Sequence, residues 1–92
     1  MAEDAASYMK TLGHQGRLMI LAHLRLGEKS VGELERLLNI RQAAVSQQLA
    51  RLREEGIVET RRDGKTVFYR LKDPKTSRMV TILAELFNGH PA

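Results

Sequence analysis

Residues 28–71 read EKSVGELERLLNIRQAAVSQQLARLREEGIVETRRDGKTVFYRL, and their punctuation constrains the fold more than any other feature of the chain. Ser30 and Glu33 form a capping-box pair, in which each side chain can bond the other's backbone N–H, so a helix starts at this point. Val31, Leu34, Leu37 and Leu38 give that helix an apolar stripe, and "NI" at 39–40 breaks it. A second helix is predicted from Gln42 to Glu55, with Val45, Leu49 and Leu52 on its inward side and Gly56 just past its end. Two β-branched-rich runs follow, 57–62 and 66–71. The Asp63-Gly64-Lys65 turn between them is a strong hairpin signal.

The flanks complete the order. Residues 3–12 read as a helix with acids in its first turn, where they complement the helix dipole, and Gly13 stops it. Leu18, Leu21 and Ala22 place a further helix over about Gln15–Leu26, ending at Gly27. Pro74 suits the first turn of a last helix over 75–88, which contains "MVTILAELF". The expected fold is therefore mainly α with a two-stranded β wing, in the order α-α-α-α-β-β-α. Two helices joined by a tight break and followed by a basic hairpin describe a winged helix-turn-helix, here as one domain spanning 1–92.

Charge then suggests a partner. The net charge of the 92 residues is +4, and eight basic against four acidic residues between Arg41 and Lys72 account for all of it. A positive field confined to one third of a chain favours a polyanion. Equally, it is the ordinary make-up of a solvated face. The absence of cysteine removes disulfides, thiolate metal sites and redox thiols from consideration. No apolar run is long enough to span a membrane, and residues 1–12 lack a signal-peptide layout, so a cytoplasmic location is expected.

In a helix-turn-helix the N-terminal residues of the second helix meet base edges in the major groove. Here they are Gln42, Ala43 and Ala44, whose alanines allow close approach and can meet a thymine methyl. Gln42, Ser46, Gln47 and Arg51 turn away from the apolar stripe. Glutamine can pair bidentately with adenine, and serine can bond base or phosphate. Gln48 falls on the flank, between a base contact and a brace for the turn. Arg61, Arg62 and Lys65 cluster at the hairpin tip, where a wing meets phosphates or a minor groove. Charged tips also keep a two-stranded edge soluble. Phe68 and Tyr69 are read as anchors to the core, since two aromatics make no platform for single strands.

The stretches "LGHQGRLMILAHL", "SVGELERLL" and "RQAAVSQQLARLREEGIVETRRDGKTVFYRL" together resemble the ArsR (ArsR/SmtB) family of bacterial winged-helix repressors, from about Leu12 to Leu71. The resemblance implies a homodimer built from the first and last helices, bound to double-stranded DNA at an inverted-repeat operator and released by an inducer. The apolar residues of those helices agree, and the expected interface comprises Tyr8, Met9, Leu12, Met79, Val80, Leu83 and Phe87. Where metal sensors of the family carry Cys-x-Cys-Asp, this chain has Ser30, Val31, Gly32 and Glu33. Where another subgroup binds metal with Asp and His on the last helix, it has Asp73 and then no histidine before His90. His14, His23 and His90 show no metal-ligand spacing, so neither a metal nor a cofactor is expected.

The wording is nearest to the branch that senses sulfane sulfur or oxidants through two cysteines, yet the first falls near Ala22 and the second has no counterpart. No sensing residue carries over, and the inducer stays open. An enzyme is not expected, since the sequence has no phosphate loop, nucleophile motif or acid–base cluster. The remaining alternative is a winged-helix module for protein–protein contact. Such modules tend to lose the outward polar side chains that Gln42, Ser46 and Gln47 retain here.

Overall fold

A computed structural model describes residues 1–88, including the backbone but not the side chain of Asn88. The elements run α1 (Ala2–Leu12), α2 (Gln15–Leu24), β1 (Lys29–Ser30), α3 (Val31–Leu38), α4 (Gln42–Glu54), β2 (Val58–Asp63), β3 (Thr66–Leu71) and α5 (Pro74–Asn88). Helix α2 is the hub: α1, α3, α4 and α5 all pack on it. Its Ile20 and Leu21 are fully buried, among Leu34 of α3 and Val45, Leu49 and Leu52 of α4. The stripe expected of α4 thus points inward, and that of α3 does so at Leu34 with Val31 and Leu38 half-buried, whereas Leu37, counted in the same stripe, is 51% exposed. Helix α2 itself stops at Leu24, short of the Leu26 expected from its apolar run, and Leu26 is exposed.

Local chemistry sets the helix boundaries. The Ser30 hydroxyl accepts from the Glu33 N–H at 3.2 Å, and the Glu33 carboxylate accepts from the Ser30 N–H at 3.0 Å, which completes the capping box. Asn39 ends α3 in the left-handed region at φ 55°, a conformation asparagine tolerates better than most residues. Helix α4 ends in a Schellman motif. The Gly56 N–H donates to the Arg53 carbonyl and the Ile57 N–H to the Leu52 carbonyl, each at 3.0 Å. Gly56 sits at φ +72°, where a Cβ would be strained, and Ile57 seals the motif from within the core.

The hairpin closes at the Asp63–Thr66 pair, so its loop is Gly64-Lys65, with Gly64 at φ +63°. The sheet has three strands rather than the expected two, in the order β1-β3-β2. Lys29 and Ser30, which precede α3, pair antiparallel with Tyr69 and Phe68. Two residues carry no strand signal of their own. They become a strand because α2 and α3 hold them against β3, whose free edge needs hydrogen-bond partners.

Candidate nucleic-acid interface

Helix α4 presents two chemically distinct sides. Val45, Leu49 and Leu52 are completely buried, while Gln42, Ala43, Ala44, Ser46, Gln47 and Arg51 are exposed. The N-cap residue, Arg41, makes no side-chain capping bond, so the first-turn N–H groups are open to an external acceptor. Gln48 is half-buried and turned back into the protein, where its Oε1 accepts from the Arg17 guanidinium at 3.4 Å. Of the two roles open to it, bracing is the one the structure gives it. Arg51 lies toward the far end of the exposed face, in an ion pair with Glu55 at 2.6 Å. Glu55 also accepts from the buried Thr11 hydroxyl, and this bond, ahead of Arg51, holds its carboxyl below the usual range.

The wing basics divide. Side chains alternate along a strand, so the neighbours Arg61 and Arg62 lie on opposite faces of the sheet. Arg61 reaches over the Phe68 ring, 4.8 Å from its centroid, to pair with Glu28 just before β1. That pairing holds the Glu28 carboxyl below its ordinary value and makes Arg61 a strut of the outer sheet face. Arg70 and Glu59, a cross-strand pair on the same face, are joined at 2.8 Å. Arg62 and Lys65 are exposed, and among the described residues no carboxylate pairs with either. The charge available at the wing tip is therefore theirs.

The first and last helices lie on another side of the molecule. Tyr8 is half-buried, and its hydroxyl donates to Thr76 Oγ1 at 2.8 Å, tying α1 to α5. Met9 is 50% exposed and Phe87 81%, with Ile82 and Leu86 of α5 also open, whereas Met79 and Leu83 are half-buried. Leu12 and Val80 are 3% exposed each and belong to the chain's own core, so they underlie that surface instead of forming it. Between α2 and α5 runs an apolar groove of about 480 Å³, and Ala22 lines it with Leu18, Val80 and Ala84. Two of the histidines are accounted for locally. His14 Nδ1 accepts from the Gly16 N–H at 3.1 Å and caps α2, and His23 lies half-buried in that helix. His90 lies outside the described residues.

The residues that sequence reasoning missed are Thr11, Arg17 and Glu55. Nothing local distinguishes them, because each acquires its role from a partner distant in the chain.

Comparison with known proteins places this geometry. The model of the arsR family of bacterial regulatory proteins matches residues 14–60. The biofilm growth-associated repressor of Agrobacterium fabrum is 51% identical over 86 residues, covering 94% of this chain and 74% of the relative. The solved structure of HlyU from Vibrio cholerae superposes with a TM-score of 0.89 at 39% identity, covering 95% of each chain. That of the transcriptional repressor BigR from Xylella fastidiosa gives 0.84 at 49% identity, covering 96% of this chain and 87% of the other. No described helix is long and apolar enough to cross a membrane. The chain belongs to the arsR family of bacterial regulatory proteins: it is a winged helix-turn-helix, DNA-binding transcription regulator and not an enzyme.

Proposed function

We propose that this regulator is a cytoplasmic homodimer that binds an inverted-repeat operator in double-stranded DNA and represses transcription from it. The observation that carries the reading is the exposed, uncapped first half of α4, which offers Gln42, Ala43, Ser46 and Gln47 to a groove while its stripe stays locked in the core. Gln42 and Gln47 supply bidentate base readers, Ser46 a base or phosphate partner, and Ala43 the clearance. Arg62 and Lys65 hold the flanking backbone through the wing, and Arg51 adds positive charge near the end of the helix. Arg61 supports the wing through Glu28 and contributes to DNA binding indirectly.

A second copy suits the α1–α5 surface. Met9, Ile82, Leu86 and Phe87 expose more apolar area on those two helices than a lone subunit has reason to present. Two-fold pairing there puts two α4 helices about one DNA turn apart, which is the geometry an inverted repeat requires. Repression, as the direction of regulation, rests on the repressor names of the relatives that are 51% and 50% identical.

The test is enrichment of duplexes from a random pool by the wild-type protein, followed by titration of the enriched duplex and sizing of the complex. A palindromic consensus bound by two protomers is expected. Failure to enrich any sequence, or a monomeric complex on a single half-site, refutes the proposal. Gln47→Ala is expected to relax sequence preference while leaving binding to mixed-sequence DNA intact.

A further inference from the structure

We propose that Thr11 and Arg17 form a polar clasp that sets the orientation of the recognition helix, which makes them positioning residues for DNA recognition although neither is placed on the DNA face. The inference rests on the reading of α4 as the helix that enters the groove. Helix α4 is attached to the body mainly through Val45, Leu49 and Leu52. Apolar burial is non-directional, so a stripe of three residues leaves a helix some freedom to roll and tilt. Hydrogen bonds are directional and remove that freedom.

Among the described residues only two side-chain hydrogen bonds join α4 and its C-cap to any other element, and both start from the corner between α1 and α2. The Thr11 hydroxyl donates to Glu55 at the C-terminal end of α4, and the Arg17 guanidinium donates to Gln48 at its middle, at 3.4 Å. These two donors are themselves linked, because Arg17 Nε donates to the Thr11 carbonyl at 2.8 Å. Thr11 is 3% exposed, so water is not an alternative partner for its hydroxyl. The Ser7 carbonyl one turn back, at 3.3 Å, is the other acceptor in reach, and the Glu55 carboxylate is the nearer and the charged one. The clasp also continues away from α4, since Tyr8, one turn before Thr11, is tied to Thr76 of α5. The recognition helix is thus referenced by directional bonds to the same helices that offer the dimer surface. In a two-fold dimer, an error in that angle is repeated in both half-sites.

Base readout needs this alignment more than phosphate contact does. A bidentate glutamine–adenine pair is lost with a small rotation, whereas a long cation can follow a phosphate. Loss of the clasp is therefore expected to weaken operator binding selectively. The variants are Thr11→Val and Glu55→Ala, which remove the donor and the acceptor, with Thr11→Ser and Glu55→Gln as conservative replacements that keep the bond. Each is titrated against the duplex enriched by wild type and against a mixed-sequence duplex of equal length at one salt concentration. Amide hydrogen exchange is followed in the DNA-free proteins.

Thr11→Val is expected to bind the enriched duplex about 10-fold more weakly, in keeping with loss of one hydrogen bond to a charged group, with mixed-sequence binding nearly unchanged. Glu55→Ala also unpairs Arg51 and so strengthens binding to any duplex. Its expected signature is a preference for the enriched over the mixed-sequence duplex that is about 10-fold smaller. Thr11→Ser should stay close to wild type, and Glu55→Gln should keep the wild-type preference between the two duplexes. Exchange of α4 amides should quicken about 10-fold in the first two variants, with α2 and α3 unaffected. A preference for the enriched over the mixed-sequence duplex that is unchanged in Thr11→Val or in Glu55→Ala overturns the clasp. If wild type shows no preference for any duplex, the DNA reading fails, and the exchange data alone judge the clasp: faster exchange confined to α4 upholds it, and unchanged exchange refutes it.

Discussion

Replacing Arg62 with alanine removes an exposed cation that has no carboxylate partner among the described residues. A cation that displaces a counterion from a B-DNA phosphate contributes about 0.9 to the slope of log K against log salt. In a two-fold dimer the substitution acts twice, so the slope should become shallower by about 1.8. Between 50 and 200 mM salt, a fourfold change, the variant should then lose about 12-fold less affinity than wild type does. Arg61→Ala is the internal control. Its guanidinium is already paired with Glu28, so that pair presents almost no net charge to a phosphate, and the slope should fall by less than half as much. Fluorescence anisotropy with a labelled operator duplex at several salt concentrations reads both slopes. An unchanged slope in Arg62→Ala refutes the wing contact. A slope that falls equally in Arg61→Ala refutes the division of labour between the two faces of the wing.

Other expectations concern stability. Leu49→Ala empties a fully buried site beneath the recognition helix and should cost about 3 kcal/mol, a drop of roughly 12–24 °C in melting temperature. A loss under about 1 kcal/mol would show that the stripe is loosely packed. Ser30→Ala opens the capping box and should cost about 1 kcal/mol by urea denaturation; no change in midpoint would mean that the pairing of β1 with β3 defines this corner unaided. The depressed carboxyls of Glu55 and Glu28 bind protons less readily in the folded than in the unfolded state. Their stabilisation is complete above about pH 5 and is lost as pH falls below the ordinary glutamate value of about 4.3 and through the lower folded one. Urea midpoints measured from pH 7 to pH 3 should therefore fall less steeply in Glu55→Gln than in wild type. An identical pH profile would remove Glu55 from the acid-sensitive set.

What the sequence determined by itself is the content that physics encodes locally. The capping box at Ser30, the stripe of α4, Gly56 past the end of α4 and the hairpin turn at Gly64 all follow from bonds or periodicities within a few residues. They sufficed to place a helix-turn-helix ahead of a basic hairpin. Tertiary structure decided whatever depends on partners distant in the chain. Lys29 and Ser30 became a strand because β3 passes beside them. Leu12 and Val80, apolar like their neighbours, were drawn into the core because α1 and α5 close over α2. Arg61 and Arg62 look equivalent as a dipeptide, yet only Arg61 has Phe68 and Glu28 within reach on its side of the sheet. Thr11 and Glu55 carry no signal until folding brings them together, 44 positions apart. Periodicity specifies which face of an element is buried, but only the assembled chain determines which polar side chains are committed to one another and which remain for DNA.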